Sequence, residues 1–110
     1  MELKQAVVAL AALAQETRLS AFRALVAAGE AGLPAGEIAA RVGVASTTLS
    51  FHLKELTYAG LVTSRSEGRF VIYCADFRAM RALLDYLSEE CCGGRPELCL
   101  SNPPTGGPSR

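Results

Sequence analysis

The sequence has no net charge, only one histidine, and no apolar run long enough to cross a membrane. The longest such run, 6–14, is far shorter than the roughly 20 residues that a transmembrane helix needs. No charged stretch followed by an apolar segment and a cleavage site opens the chain, so we expect a cytoplasmic protein. The missing positive charge argues against bulk attraction to nucleic acid, and any such binding would depend on a few well-placed cations.

Motifs of catalysis are also missing. The chain contains no Cys-x-x-Cys pair, no phosphate-binding loop and no acid–base pair in a recognisable setting, so an enzyme such as a thiol reductase is not expected. What the sequence does have is apolar residues, which make up 50% of its 110 positions. A chain of this length forms one small domain, and its surplus apolar surface is available for a subunit interface.

The apolar periodicity predicts a mainly α fold with one β-hairpin. Helices are expected over 2–14, 16–28, 35–42, 46–58 and 77–90, and strands over 61–64 and 70–74. We expect the hydroxyl of Ser46 to cap the fourth helix. The order of elements is that of a winged helix-turn-helix, with the helix-turn-helix at 35–58 and the wing at 61–75. We place this domain at 1–92 and a Gly/Pro-rich tail at 93–110, disordered beyond Asn102.

The fourth helix would be the recognition helix, whose N-terminal residues meet base edges in the major groove. Its small polar side chains and the cations of the hairpin are the candidate DNA contacts. They are Ser46, Thr47, Thr48, Ser50, His52 and Lys54 on the helix, and Arg65 and Arg69 at the hairpin tip. Each taken singly is more typical of a helix cap or a solvated surface residue than of a DNA contact, and the combination with the element order favours DNA binding. A protein-interaction module of the same fold is the alternative.

Five segments together resemble the ArsR/SmtB family of metal-responsive repressors. They are Leu-Ala-Ala-Leu-Ala-Gln-Glu-Thr-Arg-Leu at 10–19, Gly-Glu-Ile-Ala at 36–39, Ser-Thr-Thr-Leu-Ser-Phe-His-Leu-Lys-Glu-Leu at 46–56, Ala-Gly-Leu-Val at 59–62 and Arg-Ser-Glu-Gly-Arg at 65–69. The resemblance implies a homodimeric winged helix with the first and last helices at the interface. It also implies a repressor that leaves its operator when an inducer binds. The alanine-rich first helix and Leu83, Leu84 and Leu87 fit that interface.

The family places its inducer sites differently, and two of the usual places are empty of ligands here. Segment 77–90 has no histidine, and 33–45 has no cysteine. Three of the four cysteines, Cys91, Cys92 and Cys99, lie together after the last helix. Three thiolates suit trivalent arsenic or antimony. The pair with a third cysteine also resembles a subgroup of arsenic-responsive repressors.

Other uses of the cysteines stay open. The cluster could close a disulfide as a redox switch, or bind another soft metal such as cadmium or lead, whereas three cysteines leave tetrahedral zinc one ligand short. An organic arsenic(III) species needs only two sulfurs and could use Cys91 and Cys92 alone. Cys74, on the second strand, is expected in the core.

Overall fold

The computed structural model describes residues 1–89 and Gly93. Within these residues the chain forms five α-helices and three strands. The helices are α1 (Leu3–Leu13), α2 (Glu16–Ala28), α3 (Ala35–Val42), α4 (Ser46–Tyr58) and α5 (Phe77–Leu87), and the strands are β1 (Leu33–Pro34), β2 (Val62–Glu67) and β3 (Phe70–Ala75). The expected winged helix-turn-helix is confirmed. No helix of this part of the chain is long and apolar enough to span a membrane.

The core lies where α2, α3, α4 and the base of the sheet meet. Its largest fully buried side chains come from all four of these elements or their edges: Leu25, Ile38, Leu49, Leu56, Leu61 and Val62. In α4 the leucines at 49, 53 and 56 recur at helical spacing and point into this core, as the sequence predicts. The burial of one stripe of α4 fixes which side chains the opposite stripe presents to solvent.

The turn between α3 and α4 is tight because Gly43 ends α3 in the left-handed region, with φ of 82°. The expected cap on α4 is wrong: the N-cap residue is Ala45, and no side chain caps the helix. Ser46 is instead the first helical residue, and its hydroxyl is directed to solvent rather than to the helix's own amides. An uncapped N-terminus leaves backbone N–H groups of the first turn unsatisfied by the chain.

The sheet has one more strand than the sequence predicts. Leu33 pairs with Tyr73 and Pro34 with Ile72, so β1 joins the outer edge of β3 and the strand order is β1-β3-β2. A two-residue strand has no readable period, and Pro34 predicts a helix start instead. The close approach requires Gly32, because a Cβ there would lie 2.5 Å from the Tyr73 carbonyl oxygen and 2.6 Å from the Cys74 sulfur.

The hairpin is longer and its tip shorter than expected. Strand β2 continues to Glu67, which pairs with Phe70, and the turn consists of Gly68 and Arg69. Gly68 has φ of 62°, a conformation that favours glycine. Arg65 therefore lies within β2, opposite Ile72, and not at the tip.

Helix α5 begins at an Asp76 cap, whose carboxylate accepts from the amide of Ala79 at 3.0 Å. It ends at Leu87, three residues before the expected end at Glu90. The Ser88 hydroxyl donates to the Leu84 carbonyl oxygen at 2.7 Å, beside the backbone amide of Ser88, which donates to the same oxygen at 3.1 Å. The predicted tail 93–110 lies outside the described residues apart from Gly93.

Candidate DNA-binding surface

The outward face of α4 is polar along its first two turns. Five of the six candidate contacts on this helix are exposed: Ser46, Thr47, Thr48, Ser50 and Lys54. They are held outward because the leucines of the opposite stripe are buried. Short hydroxyls at the start of a recognition helix can donate to or accept from base edges and phosphates, and Lys54 supplies the one positive charge of this helix.

His52, the sixth candidate on α4, is oriented differently. Its ring is half-buried, and its Nδ1 lies 3.3 Å from Nη1 of Arg18 in α2. Because arginine has no acceptor, His52 must accept through Nδ1. The Nε of Arg18 also donates to the Ala12 carbonyl oxygen near the end of α1, at 2.6 Å. The pair therefore connects the recognition helix to α1 and α2.

Arg65 is exposed, but it lies within β2 and not at the hairpin tip where the sequence places it. Its guanidinium donates to the backbone oxygens of Glu30 and Ala31 at 3.2 and 3.0 Å, and to the Glu67 carboxylate at 2.7 Å. The hydrogen bond to Glu67 raises the pKa of Arg65 above its usual value, so this group stays charged. These bonds fasten β2 of the wing to the turn that precedes β1.

Arg69 keeps the position that the sequence predicts. It follows Gly68 in the turn of the hairpin, is exposed, and forms no ion pair with any side chain of residues 1–89. A free cation on a projecting turn can reach a phosphate of the neighbouring backbone. Of the two predicted wing cations, Arg69 is the one whose charge no carboxylate of residues 1–89 compensates.

Cys74 is half-buried, whereas its position on the strand predicts that it lies in the core. Its sulfur lies 3.0 Å from Nη1 of Arg65 and 3.5 Å from the Glu30 carbonyl oxygen. The alternation of the strand does not report the polar contacts of this sulfur with Arg65 and the Glu30 carbonyl oxygen. Cys74 belongs to the attachment of the wing.

Cys91, Cys92 and Cys99 lie outside the described residues. Within the part of the chain that the structure describes, no three His, Cys, Asp or Glu side chains are grouped so that they could hold a metal ion.

A second surface of the chain is apolar instead of polar. In α1 the buried residues are small, Ala6, Ala9 and Ala12, whereas the larger apolar side chains face outward. The exposed apolar residues of α1 and α5 are Leu3, Val7, Val8, Leu10, Leu84 and Leu87. The expectation that Leu83 belongs to this surface is wrong, because it is 5% exposed and packs within its own chain. We call these six exposed residues the α1/α5 face.

Two side chains that sequence reasoning missed lie at the DNA-binding surface. The sequence carries no signal for the contact of Arg18 with α4, since its partner there, His52, is 34 positions away. Phe51 does have one: it stands two positions after Leu49 and two before Leu53, which places it on the opposite side of α4. Its ring is 56% exposed and meets the His52 ring edge-on, with centroids 5.4 Å apart.

The order of elements, the outward polar face of α4 and the projecting wing define a winged helix-turn-helix protein. A family model described as a helix-turn-helix domain matches residues 13–65. The transcriptional activator HlyU of Vibrio cholerae is 33% identical over 88 residues, which cover 80% of this chain and 79% of the relative.

Two solved structures share the fold. A homodimeric winged helix-turn-helix domain from Mycobacterium bovis, described as a possible ArsR-family regulator, is 32% identical with a TM-score of 0.65, and the match covers 80% of this chain and 82% of that one. A possible transcriptional regulator for arsenical resistance is 34% identical with a TM-score of 0.57, covering 82% and 91%. The chain belongs to the ArsR family of transcriptional regulators and has the family's helix-turn-helix DNA-binding fold.

Proposed function

We propose that this protein is a cytoplasmic repressor that binds operator DNA as a homodimer and is released by trivalent arsenic or antimony. The observation that carries the DNA-binding part is the outward face of α4, where four hydroxyls and Lys54 are exposed opposite a buried leucine stripe. Arg69 on the wing would contact a phosphate, and Arg65 would hold the wing. The relative from Vibrio cholerae is named an activator, so the direction of regulation needs its own test.

The α1/α5 face supports the dimer. Helix α1 buries alanines and exposes Leu3 and Val7, the reverse of what a helix of a stable monomer does with its large apolar residues. Several large apolar side chains exposed on two helices are typical of an interaction surface. A two-fold dimer would place its two α4 helices on half-sites about one or two DNA turns apart, at roughly 34 Å per turn.

The inducer part of the proposal depends on donor chemistry. Arsenic(III) and antimony(III) are soft and take three sulfur donors, and Cys91, Cys92 and Cys99 supply three thiolates within nine residues. The relative described as a possible regulator for arsenical resistance supports this assignment by analogy. Cys91 follows the last residue of α5, Leu87, by only four positions. Inducer binding next to that helix would change the relative orientation of the two subunits. The distance between the two α4 helices would then no longer match the spacing of the operator half-sites.

The proposal is tested by titrating the protein–operator complex with arsenite, antimonite, cadmium, lead and zinc in parallel. Arsenite and antimonite should lower operator affinity about a hundredfold, a coupling of about 2.7 kcal/mol, which lies in the usual allosteric range. Linkage requires that operator DNA weaken arsenite binding by the same factor. A promoter fused to a reporter then shows whether binding represses or activates.

Serine variants locate the site. Replacing Cys91 and Cys92 together by Ser should leave operator binding intact and abolish the response to arsenite, and Cys74→Ser is the matched control, since that thiol is far from the cluster in sequence. Cys99→Ser should abolish the response to arsenite and spare the response to phenylarsenic(III), which needs two sulfurs. Release of the double variant by arsenite would place the site elsewhere. If peroxide releases the protein from the operator and a thiol reductant restores binding, the cysteines form a redox switch instead.

A further inference from the structure

We propose that Phe51 is a specificity-determining residue of the recognition helix, and that its ring reads the methyl group of a thymine in the major groove. The inference deepens the proposed function and rests on it. It starts from the exposure of a large aromatic side chain on a face whose other members are polar. Phe51 is 56% exposed, although its helix buries Leu49, Leu53 and Leu56 almost completely.

The position of Phe51 on α4 places it centrally on the outward face. One turn before it stands Thr47 and one turn after it Lys54, both exposed and both on the same side of the helix. If Thr47 and Lys54 meet the groove, Phe51 meets it between them. The sequence predicts that His52 contacts a base. Its ring is turned toward Arg18 instead, so Phe51 and not His52 occupies the centre of the outward face.

The ring is also held in place. The Phe51 and His52 rings meet at 69° with centroids 5.4 Å apart, a favourable edge-to-face arrangement. His52 is in turn bonded to Arg18, which is bonded to the carbonyl oxygen of Ala12. A side chain whose orientation is restricted before DNA binds loses less conformational entropy on contact.

The chemistry of the groove selects the target. A phenyl ring neither donates nor accepts a conventional hydrogen bond, so it gains nothing from the purine edges or from cytosine N4. The one apolar group displayed in the major groove is the thymine C5-methyl, and phenylalanine is among the residues that contact it. This reading needs no positive charge, which fits a chain with zero net charge.

The test replaces thymine by deoxyuridine, which lacks only that methyl group. An operator is first selected from a random duplex library with the full-length protein, and each thymine is then exchanged singly and in symmetry-related pairs. Burying one methyl group is worth about 0.8 kcal/mol, so one exchange should weaken binding about fourfold, and the symmetric pair about fifteenfold. In Phe51→Ala the same exchange should change affinity less than about 1.5-fold.

Three variants serve as controls. Tyr58→Ala removes an 86% exposed aromatic ring from the same side of α4, two turns further along, and should leave the thymine-to-uridine ratio at the wild-type value. Thr47→Ser removes the neighbouring methyl group and keeps the hydroxyl, and should do the same. Phe51→Leu should retain part of the discrimination. The salt dependence of binding should be unchanged in Phe51→Ala, because an apolar contact releases no counterions.

The outcomes separate the inference from the proposed function. Selection of no sequence would overturn DNA binding and the inference with it. A selected operator that the wild type binds equally with thymine or uridine at every position would overturn the inference alone. So would a ratio that survives in Phe51→Ala or disappears in Thr47→Ser.

Discussion

Helices α4 and α5 both bury leucine and expose their opposite sides, yet the exposed sides have opposite chemistry. Outside its leucine stripe, α4 presents mostly hydroxyls and Lys54, with Phe51 among them. On α5 the exposed residues include Leu84 and Leu87, and α1 likewise exposes Leu3 and Val7. A polar face can stay in water until DNA replaces it, whereas an apolar face of this size favours a second protein surface.

The difference shows how one small chain divides its contacts. The core combines α2, α3, the inner stripe of α4 and the base of the sheet with the alanines of α1 and Leu83 of α5, and the exposed sides of α4 and of α1 and α5 lie outside it. In α1, the alanines allow close approach within the chain and free the larger side chains for the outside. Changes at the two surfaces should therefore alter different properties of the protein.

The largest effect is expected inside α4. Leu53→Ala removes a side chain that is 2% exposed and leaves a cavity, which should lower the free energy of unfolding by about 2–5 kcal/mol. Urea unfolding followed by circular dichroism measures this loss. Ser50→Ala, on the outward side of the same helix, should change stability by less than about 0.5 kcal/mol and weaken operator binding. Equal losses of stability in the two variants would contradict the division of α4 into two faces.

The next effect is expected at the α1/α5 face. Leu84→Glu places a charge where we propose the partner subunit packs, so the dimer should dissociate at micromolar concentration. Each monomer would then bind a single half-site and lose the advantage of linked binding, a drop in operator affinity of about a hundredfold or more. Light scattering measures the mass and a gel shift the affinity.

Arg78→Glu is the matched control for this variant, because Arg78 is an exposed polar residue of the same helix. It should leave the mass unchanged. A monomeric wild-type protein at micromolar concentration, or a fully dimeric Leu84→Glu variant, would refute the interface.

Much of the fold can be predicted from the sequence, because the period of the apolar residues marks each long helix within one to three residues. The features that the sequence does not predict are either very short or depend on tertiary contacts. Strand β1 has two residues and forms only because Gly32 lets the chain approach β3. Helix α5 ends at Leu87, three residues before the expected end, and the apolar spacing carries no signal for that end.

The candidate surface can be predicted less completely. Exposure of the hydroxyls on α4 follows from its leucine stripe, and so does the placement of Phe51. The roles of Arg65 and His52 do not follow, since each depends on a partner more than 30 positions away in sequence: the Glu30 and Ala31 carbonyl oxygens for Arg65, and Arg18 for His52. Polar residues of one type can face solvent or bind the chain, and only the tertiary structure distinguishes the two.

A smaller effect on operator affinity is expected at the two arginines of the wing, of which Arg65 is bonded within the chain and Arg69 is exposed for DNA. Arg69→Ala should weaken operator binding and lower the salt slope by about one, because one phosphate contact is lost. Arg65→Ala should leave the salt slope unchanged and increase amide exchange in β2, because its bonds to Glu30 and Ala31 are lost. Affinity measured from 50 to 300 mM salt distinguishes them. If Arg65→Ala also lowers the salt slope by about one, then Arg65 contacts a phosphate.

The smallest effect is expected at His52, which lies between the two chemistries of α4. His52→Ala removes the acceptor of Arg18 and the edge contact to Phe51, both at a half-buried position. A hydrogen bond of this kind contributes about 0.5–1.5 kcal/mol, and partial exposure to water places the expected loss of stability near the lower end. Operator affinity should fall less than about threefold, because the ring makes no base contact in our proposal.

His52→Gln retains an acceptor for Arg18 and should recover most of the stability. Urea unfolding and gel shifts of both variants, beside Ser50→Ala, test the assignment. If His52→Ala keeps full stability and loses operator binding more than tenfold, then His52 turns to the DNA in the complex and its bond to Arg18 is broken there.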